Sequence, residues 1–288
     1  PYKGGLRFHP SVDIGILKFL AFEQTLKNSL SGQKIGGAKG GSDFDPKGKT
    51  DMEIMNFCKA FMRQLYPYIG EGVDVPAGDI GVGEKEIGWL YGEYKNIVNR
   101  HEGSITGKPV LVGGSKLRTE ATGYGLVYFA QSLLDYHNES LVGKICTVSG
   151  AGNVALHTIE KLVEVGAIPV TCSDSRGCIY DPQGIDIDLL KSIKRRKMAL
   201  STYIESKSTA KYTPVSEYGG GSSPIWGIHS LVAFPCATQN ELSGIDADRI
   251  IENNTFAVIE GANMPSTAEA LSILRGSDVT VCPSKAAN

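Results

Sequence analysis

The chain has 288 residues, of which 41% are apolar and 21% charged, with a formal net charge of −2. That composition is globular and long enough for one large or two ordinary domains; it lacks the basicity of a nucleic-acid binder and any apolar run long enough to span a membrane. Six cysteines without a CxxC pair and five histidines without HExxH spacing indicate neither a disulfide framework nor a metal site, so reduced, buried thiols and a cytoplasmic location are expected.

Taken in order, Pro1-Tyr2-Lys3-Gly4-Gly5 leads into Arg7-Phe8-His9-Pro10, after which Ser11 or Asp13 can cap a helix with Ile14, Leu17, Leu20, Ala21 and Leu26 at the 3.6-residue period. Gln24 and Lys27 lie three apart on it and share a face, so they can offer an amide and an ammonium to one ligand; a solvated surface lysine is the other reading of Lys27. Next comes Gly36-Gly37-Ala38-Lys39-Gly40-Gly41, one cation between two glycine pairs. Glycines cost folding entropy and bring no side chain to a core, so the stretch is read as backbone approaching a small ligand, with Lys39 as a candidate acid/base group. A flexible turn is the competing reading. Thr50-Asp51-Met52-Glu53 is a capping box opening a helix that buries Ile54, Phe57, Phe61 and Leu65. A short strand at 73–75 delivers Pro76-Ala77-Gly78-Asp79, leaving Asp79 in a loop, as a displayed functional side chain or as a turn residue. An amphipathic helix through Ile87, Leu90 and Tyr94 follows.

Residues 101–119 are glycine-rich and irregular, which sets a boundary between a first domain, 1–118, and a second, 119–288. After a helix over 121–138, a short apolar strand at 144–149 runs into Gly150-Ala151-Gly152-Asn153-Val154-Ala155 and then a helix. GxGxxA between strand and helix is a phosphate-binding turn: the first glycine makes the turn, the second admits a pyrophosphate, the small third residue packs helix on strand, and the helix N-terminus faces the phosphates. Gly150, Gly152, Asn153 and Val154 are therefore candidate dinucleotide contacts. The next strand, 169–173, ends in Ser173-Asp174-Ser175-Arg176-Gly177. An aspartate there usually takes a ribose hydroxyl of NAD, but two serines and a guanidinium suit a 2′-phosphate, which favours NADP over NAD; Ser175 and Arg176 merely shaping a turn is the alternative. The basic run 191–197 is read as a solvated face and 219–224 as a surface loop. Strands at 231–234, 256–260 and 279–282 alternate with helices at 247–253 and 267–275, which argues for an α/β, Rossmann-like, doubly wound parallel sheet. Loops 235–240 and 261–265 leave the C-terminal strand ends, where ligands bind, so Asn240 and Asn263 are candidates for holding a cofactor's ribose or carboxamide, or else are turn residues.

Pro1 to Gly5, Phe22-Glu23-Gln24, Gly36 to Asp45, Asp74 to Asp79, Glu120-Ala121-Thr122-Gly123-Tyr124-Gly125, Pro235 to Asn240, Glu260 to Pro265 and Ser284-Lys285-Ala286-Ala287-Asn288 together resemble, in order and over essentially the whole chain, the hexameric glutamate dehydrogenases of bacteria and unicellular eukaryotes, in the Glu/Leu/Phe/Val dehydrogenase superfamily. The resemblance implies an incomplete α/β substrate domain followed by the dinucleotide domain. It implies reversible, NADP-linked oxidative deamination of L-glutamate to 2-oxoglutarate and ammonium by a homo-hexamer. Lys3 then matches the lysine for the side-chain carboxylate, Lys27 with Gln24 the grip on the α-carboxylate, Lys39 the lysine that activates water, and Asp79 the carboxylate that moves protons at the amino nitrogen. Arg118 and Thr122 would lie near the nicotinamide with Asn240 and Asn263. Thr119 departs from the family pattern, which has proline there. The chain opens at Pro1 and closes at Asn288, as expected of a piece of a longer protein, without the family's N-terminal assembly region and last segment. A leucine or phenylalanine dehydrogenase of the same superfamily is the nearest alternative; Lys3 argues against it, because an unpaired ammonium facing an aliphatic side chain costs several kcal/mol. A cofactor-binding regulatory protein without turnover is the other.

Overall fold

The computed structural model describes residues 1–116 and 120–288; Arg118, Thr119 and the boundary set there by the sequence lie outside the described residues. Its contacts divide the chain into two units, Pro1–Arg118 and Thr119–Asn288. The first runs β1 (Tyr2–Phe8), α1 (Ile14–Ser29), β2 (Gly36–Gly37), β3 (Gly40–Ser42), α2 (Asp51–Leu65), β4 (Asp74–Gly78) and α3 (Glu84–Val98).

β1 organises this unit, although its glycine pair gives it little strand propensity and the sequence placed no strand there. It is central to a parallel sheet, with β2 and β3 along one side and β4 along the other. Alternation splits its side chains: Leu6 and Phe8 enter the core under α2 and α3, with Ile54, Cys58, Met62, Ile87 and Leu90, while Lys3, Gly5 and Arg7 share the opposite face. Phe57 and Phe61 meet Phe8 edge-on at 5.1 and 5.2 Å, a favoured aromatic geometry. The capping box at Thr50 and Glu53 forms as the sequence indicates. Asp13, not Ser11, caps α1 by accepting the Ile16 N–H at 2.8 Å, yet no residue of α1 is buried.

The glycines around Lys39 correct the sequence reading, for they do pack. A Cβ on Gly37 would stand 2.2 Å from the Thr25 amide nitrogen on α1, one on Gly41 2.2 Å from the Arg7 carbonyl oxygen, and one on Gly4 1.5 Å from the Ala38 carbonyl oxygen. Their bareness lets neighbouring backbones close on one another, so the stretch is neither a free turn nor open to a ligand along its whole length.

The second unit runs α4 (Ala121–Tyr136), β5 (Ile145–Val148), α5 (Asn153–Glu164), β6 (Ile168–Pro169), β7 (Thr171–Asp174), β8 (Gly177–Tyr180), α6 (Ile187–Arg195), α7 (Tyr203–Ser206), β9 (Lys211–Pro214), β10 (Val232–Phe234), α8 (Gly244–Glu252), β11 (Ala257–Ile259), α9 (Ala268–Arg275), β12 (Thr280–Cys282) and α10 (Ser284–Ala287). Five parallel strands stand in the order β12-β11-β10-β5-β6, the α/β, doubly wound arrangement implied by alternating strands and helices. The strand expected over 169–173 divides: β6 stays in the parallel sheet, and from Thr171 the chain enters an antiparallel sheet, β7-β8-β9. After β9 the chain returns across β5 to β10, so β5 and β10 flank the switch in strand order, the place where such sheets open a ligand crevice. Cys58, Cys146, Cys172, Cys178, Cys236 and Cys282 are all buried and free.

Candidate active site

In the first unit the strand registers assemble a charged cluster. Beyond the Leu6–Gly78 pair, Arg7 stands beside Asp79, while on the other flank Lys39 falls opposite Gly5, between the β2 and β3 pairings. Asp79 Oδ2 accepts from Arg7 Nε at 2.7 Å and pairs with Lys39 Nζ at 3.0 Å. Only 10% of the Lys39 side chain and 20% of that of Asp79 are exposed, so solvent screens the pair weakly. Gly5 makes the contact possible: a Cβ there would lie 2.9 Å from the Asp79 Cβ and 3.1 Å from Lys39 Nζ. An ammonium and a carboxylate in direct contact, with a guanidinium fixing the carboxylate, are equipped to move a proton to or from a bound molecule. Arg7 escaped sequence reasoning, because only the strand register puts it next to Asp79.

Lys3 follows on the same face of β1. Burial pushes the neighbouring Asp74 carboxyl up from its usual range, against the opposing pull of the Lys3 charge. Gln24 Nε2 donates to Asn28 Oδ1 at 2.9 Å, and Asn28 Nδ2 donates to the carbonyl oxygens of Lys3 and Gly36 at 3.1 and 2.8 Å. That relay ties α1, which carries half-buried Gln24 and Lys27, to β1 and β2. Asn28 is therefore a second residue the sequence did not single out.

In the second unit a cavity of about 560 Å³ opens at the ends of β5 and β7, with Gly150, Gly152, Ser173, Asp174, Ser175 and Lys194 in its wall. Gly150 is held at φ +87°, a backbone region that favours glycine, and a Cβ on it would stand 3.0 Å from the Cys236 carbonyl oxygen. Its N–H donates to Ser173 Oγ at 2.8 Å and its carbonyl accepts the Ser173 N–H at 3.1 Å. α5 starts from Gly152 without a side-chain cap, which leaves its first amides for an anion. Val215, Tyr218, Ile225 and Trp226 form an apolar wall opposite. A glycine turn, an uncapped helix start, a cation and a flat apolar surface together fit a phosphorylated dinucleotide.

The structure redistributes the residues proposed for that cofactor. Arg176 is held by Asp174, its N–H bonding Oδ1 at 2.9 Å and its Nη2 standing 3.8 Å from Oδ2, but its side chain is 63% exposed and does not line the cavity. Lys194 does, so the run 191–197 is not a wholly solvated face; Lys191 pairs with Glu160, while 195–197 are exposed. Residues 219–224 likewise are more than a surface loop, since Gly221 and Ser223 belong to the cavity wall. Asn153 and Val154 occupy the first turn of α5 beyond the cavity lining, and half-buried Thr122 the first turn of α4. The exposed Asn240, at φ 56°, donates its N–H to the Met264 carbonyl oxygen at 3.0 Å, joining the loop after β10 to the one that carries the exposed Asn263.

A family model described as Glutamate/Leucine/Phenylalanine/Valine dehydrogenase matches residues 113–288, and one described as Glu/Leu/Phe/Val dehydrogenase, dimerisation domain, matches residues 1–96. The chain belongs to the Glu/Leu/Phe/Val dehydrogenase family. Among relatives of this Glu/Leu/Phe/Val dehydrogenase chain, the NADP-specific glutamate dehydrogenase of Helicobacter pylori is 57% identical, aligned over 100% of this chain and 64% of its own length. The NAD(P)-specific glutamate dehydrogenase of Xylanibacter ruminicola is 52% identical, again over 100% of this chain and 64% of its own length. The solved glutamate dehydrogenase of Plasmodium falciparum superposes with a TM-score of 0.93 at 51% identity, over 100% of this chain and 61% of that one. The chain thus spans less than two thirds of these relatives.

Proposed function

We propose that the protein is an NADP-dependent glutamate dehydrogenase, interconverting L-glutamate with 2-oxoglutarate and ammonium. The observation that carries the reading is the 3.0 Å contact of Lys39 with Asp79 across the Gly5 gap. The identities to NADP-specific relatives support it. Residues 1–118 serve as the substrate domain and 119–288 as the dinucleotide domain.

A dianionic substrate calls for fixed cations. Lys3 pairs with its side-chain carboxylate, and Lys27 with Gln24 takes the α-carboxylate. Asp79 moves protons to and from the amino nitrogen, and Lys39 holds and activates the water that attacks the imine carbon. Arg7 fixes the Asp79 carboxylate for that exchange. Bound NADP supplies the acceptor for the Cα hydride and, in reverse, its donor. Gly150, Gly152, Asn153 and Val154 hold its pyrophosphate. Ser173, Asp174, Ser175 and Lys194 hold the adenosine ribose and its 2′-phosphate, with Arg176 at the rim. Arg118, Thr122, Asn240 and Asn263 serve the nicotinamide half. The match of residues 1–96 to a dimerisation-domain model supports self-association, here as a homo-hexamer. Six free thiols suit a reducing compartment, the cytoplasm.

The test is NADPH oxidation by the full-length protein with 2-oxoglutarate and ammonium, followed by absorbance. Lys3→Leu should raise the KM for 2-oxoglutarate about 10- to 100-fold, the loss of one charge-assisted contact. Absence of turnover with either cofactor would overturn the assignment. For the cofactor, Lys194→Ala should weaken NADPH binding by a similar factor of about 10 to 100 and leave NADH unchanged, since only NADPH carries the extra phosphate. Equal losses for both cofactors in fluorescence titrations would remove Lys194 from the 2′-phosphate site.

A further inference from the structure

Glu241 belongs to the cavity wall but to no role assigned so far. Its Oε1 accepts the N–H groups of Ala237 at 2.8 Å and Thr238 at 3.3 Å. The Ser149 hydroxyl, at the end of β5, faces the same carboxylate and accepts the Cys236 N–H at 2.8 Å. Glu241 thereby shapes the turn after β10 that forms one side of the crevice. The residues flanking it are fixed in turn, the Asn240 and Leu242 N–H groups donating to the Met264 and Pro265 carbonyl oxygens at 3.0 Å each.

The carboxylate is half-buried in the cavity proposed to accept phosphates. Asp246 on α8 adds like charge; the Cys236 thiol beside it is kept neutral by burial. Across the cavity stand Asp174, which Arg176 approaches to 3.8 Å, and Lys194, the one cation of the wall among the described residues. Burial pushes the Glu241 carboxyl up to about 7, while the Ser149 hydroxyl and the two amides pull the other way.

We propose that Glu241 is a positioning residue of the dinucleotide cavity that takes up a proton when the cofactor's phosphates enter, so that cofactor binding and the ionisation of this carboxyl are linked. The inference rests on the cavity being the NADP site. The proton comes from solvent and no other bond changes. A protonated carboxyl keeps a carbonyl oxygen for the Ala237 N–H, so the turn is held in both states and only the charge changes. The sign follows from linkage. Incoming phosphates raise the affinity of the carboxyl for its proton, so affinity for the cofactor is full below the pKa of the free protein and declines as pH rises between the free and bound values.

The experiment is calorimetric titration of the full-length protein with NADPH at pH 7.5, in buffers of different ionisation enthalpy, which counts protons taken up per site. A rise of about one pK unit on binding predicts uptake of about half a proton, and a Kd that climbs up to about tenfold between pH 6.5 and 8.5. Glu241→Gln, which keeps the carbonyl acceptor and mimics the protonated form, should bind NADPH without that uptake and with a flatter pH profile. The 2′-phosphate, with a second pKa near about 6, is already dianionic at pH 7.5 and contributes equally to both proteins. Equal uptake in the native protein and the Gln variant would overturn the proposal while leaving the cavity as the NADP site; failure of both to bind NADPH would overturn the cavity assignment and the proposal with it. Were the Gln variant unfolded, the native protein alone decides, because zero uptake at pH 7.5 is incompatible with the linkage.

Discussion

Asp79→Asn should lower kcat for glutamate turnover by about 10²- to 10⁴-fold, the range associated with losing a positioned general acid/base group, while NADPH still binds. Asp79 Oδ2 serves Arg7 and Lys39 at once, at 2.7 and 3.0 Å. An amide of the same shape leaves an ammonium and a guanidinium side by side with no anion between them. Both the proton-transfer group and the fixed geometry of Lys39 are therefore lost in one substitution. Single-turnover kinetics with a parallel NADPH titration checks this. A kcat within tenfold of the native value would remove Asp79 from the chemistry and reduce the cluster to a structural ion pair.

Gly4→Ala should be as damaging to the first unit, by another route. The added Cβ would stand 1.5 Å from the Ala38 carbonyl oxygen and 2.6 Å from its carbon, and both neighbours are backbone. No rotamer change relieves such a clash, so β1 must part from the segment carrying Lys39, at a cost above about 4 kcal/mol. Hydrogen exchange read by mass spectrometry should show β1 and residues 36–42 losing protection while the second unit, Thr119–Asn288, keeps its own. Unchanged protection of β1 would mean that the sheet relaxes around the methyl group.

These expectations turn on what could and could not be read from the residues. The capping box at Thr50, the glycine turn at Gly150 and the alternating strands and helices after it are local signals, carried by a few adjacent side chains, and they were legible. Strand β1 was not, because its central glycines lack the propensity and its partners lie more than thirty residues away in sequence. The same distance hid Arg7, whose importance exists only in register with Asp79. Lys194 and Glu241 were hidden by tertiary placement: a basic run and an acidic residue past an asparagine look like solvated surface until α6 and the turn after β10 are set against the crevice. Lys39 and Asp79 stand out in the sequence through their glycine-rich settings, yet approach to a ligand does not account for most of those glycines, which serve the approach of strand to strand and strand to helix.

The crevice also constrains how the second unit acquires its shape. Its two walls are held together by the bond from the Cys236 amide to Ser149 Oγ, between residues 87 apart in the chain, and everything between them must fold or be looped out before that bond can form. Closing so long a segment is entropically slow compared with winding α5 or pairing β7 with β8, which are local. A growing chain that has made Gly150 to Val154 therefore owns the glycine turn but not the crevice, whose other wall is missing until β10 arrives beside β5. Completion of the crevice is in this sense a late event of folding, and a ligand that touched both walls would brace residues 87 apart in the chain.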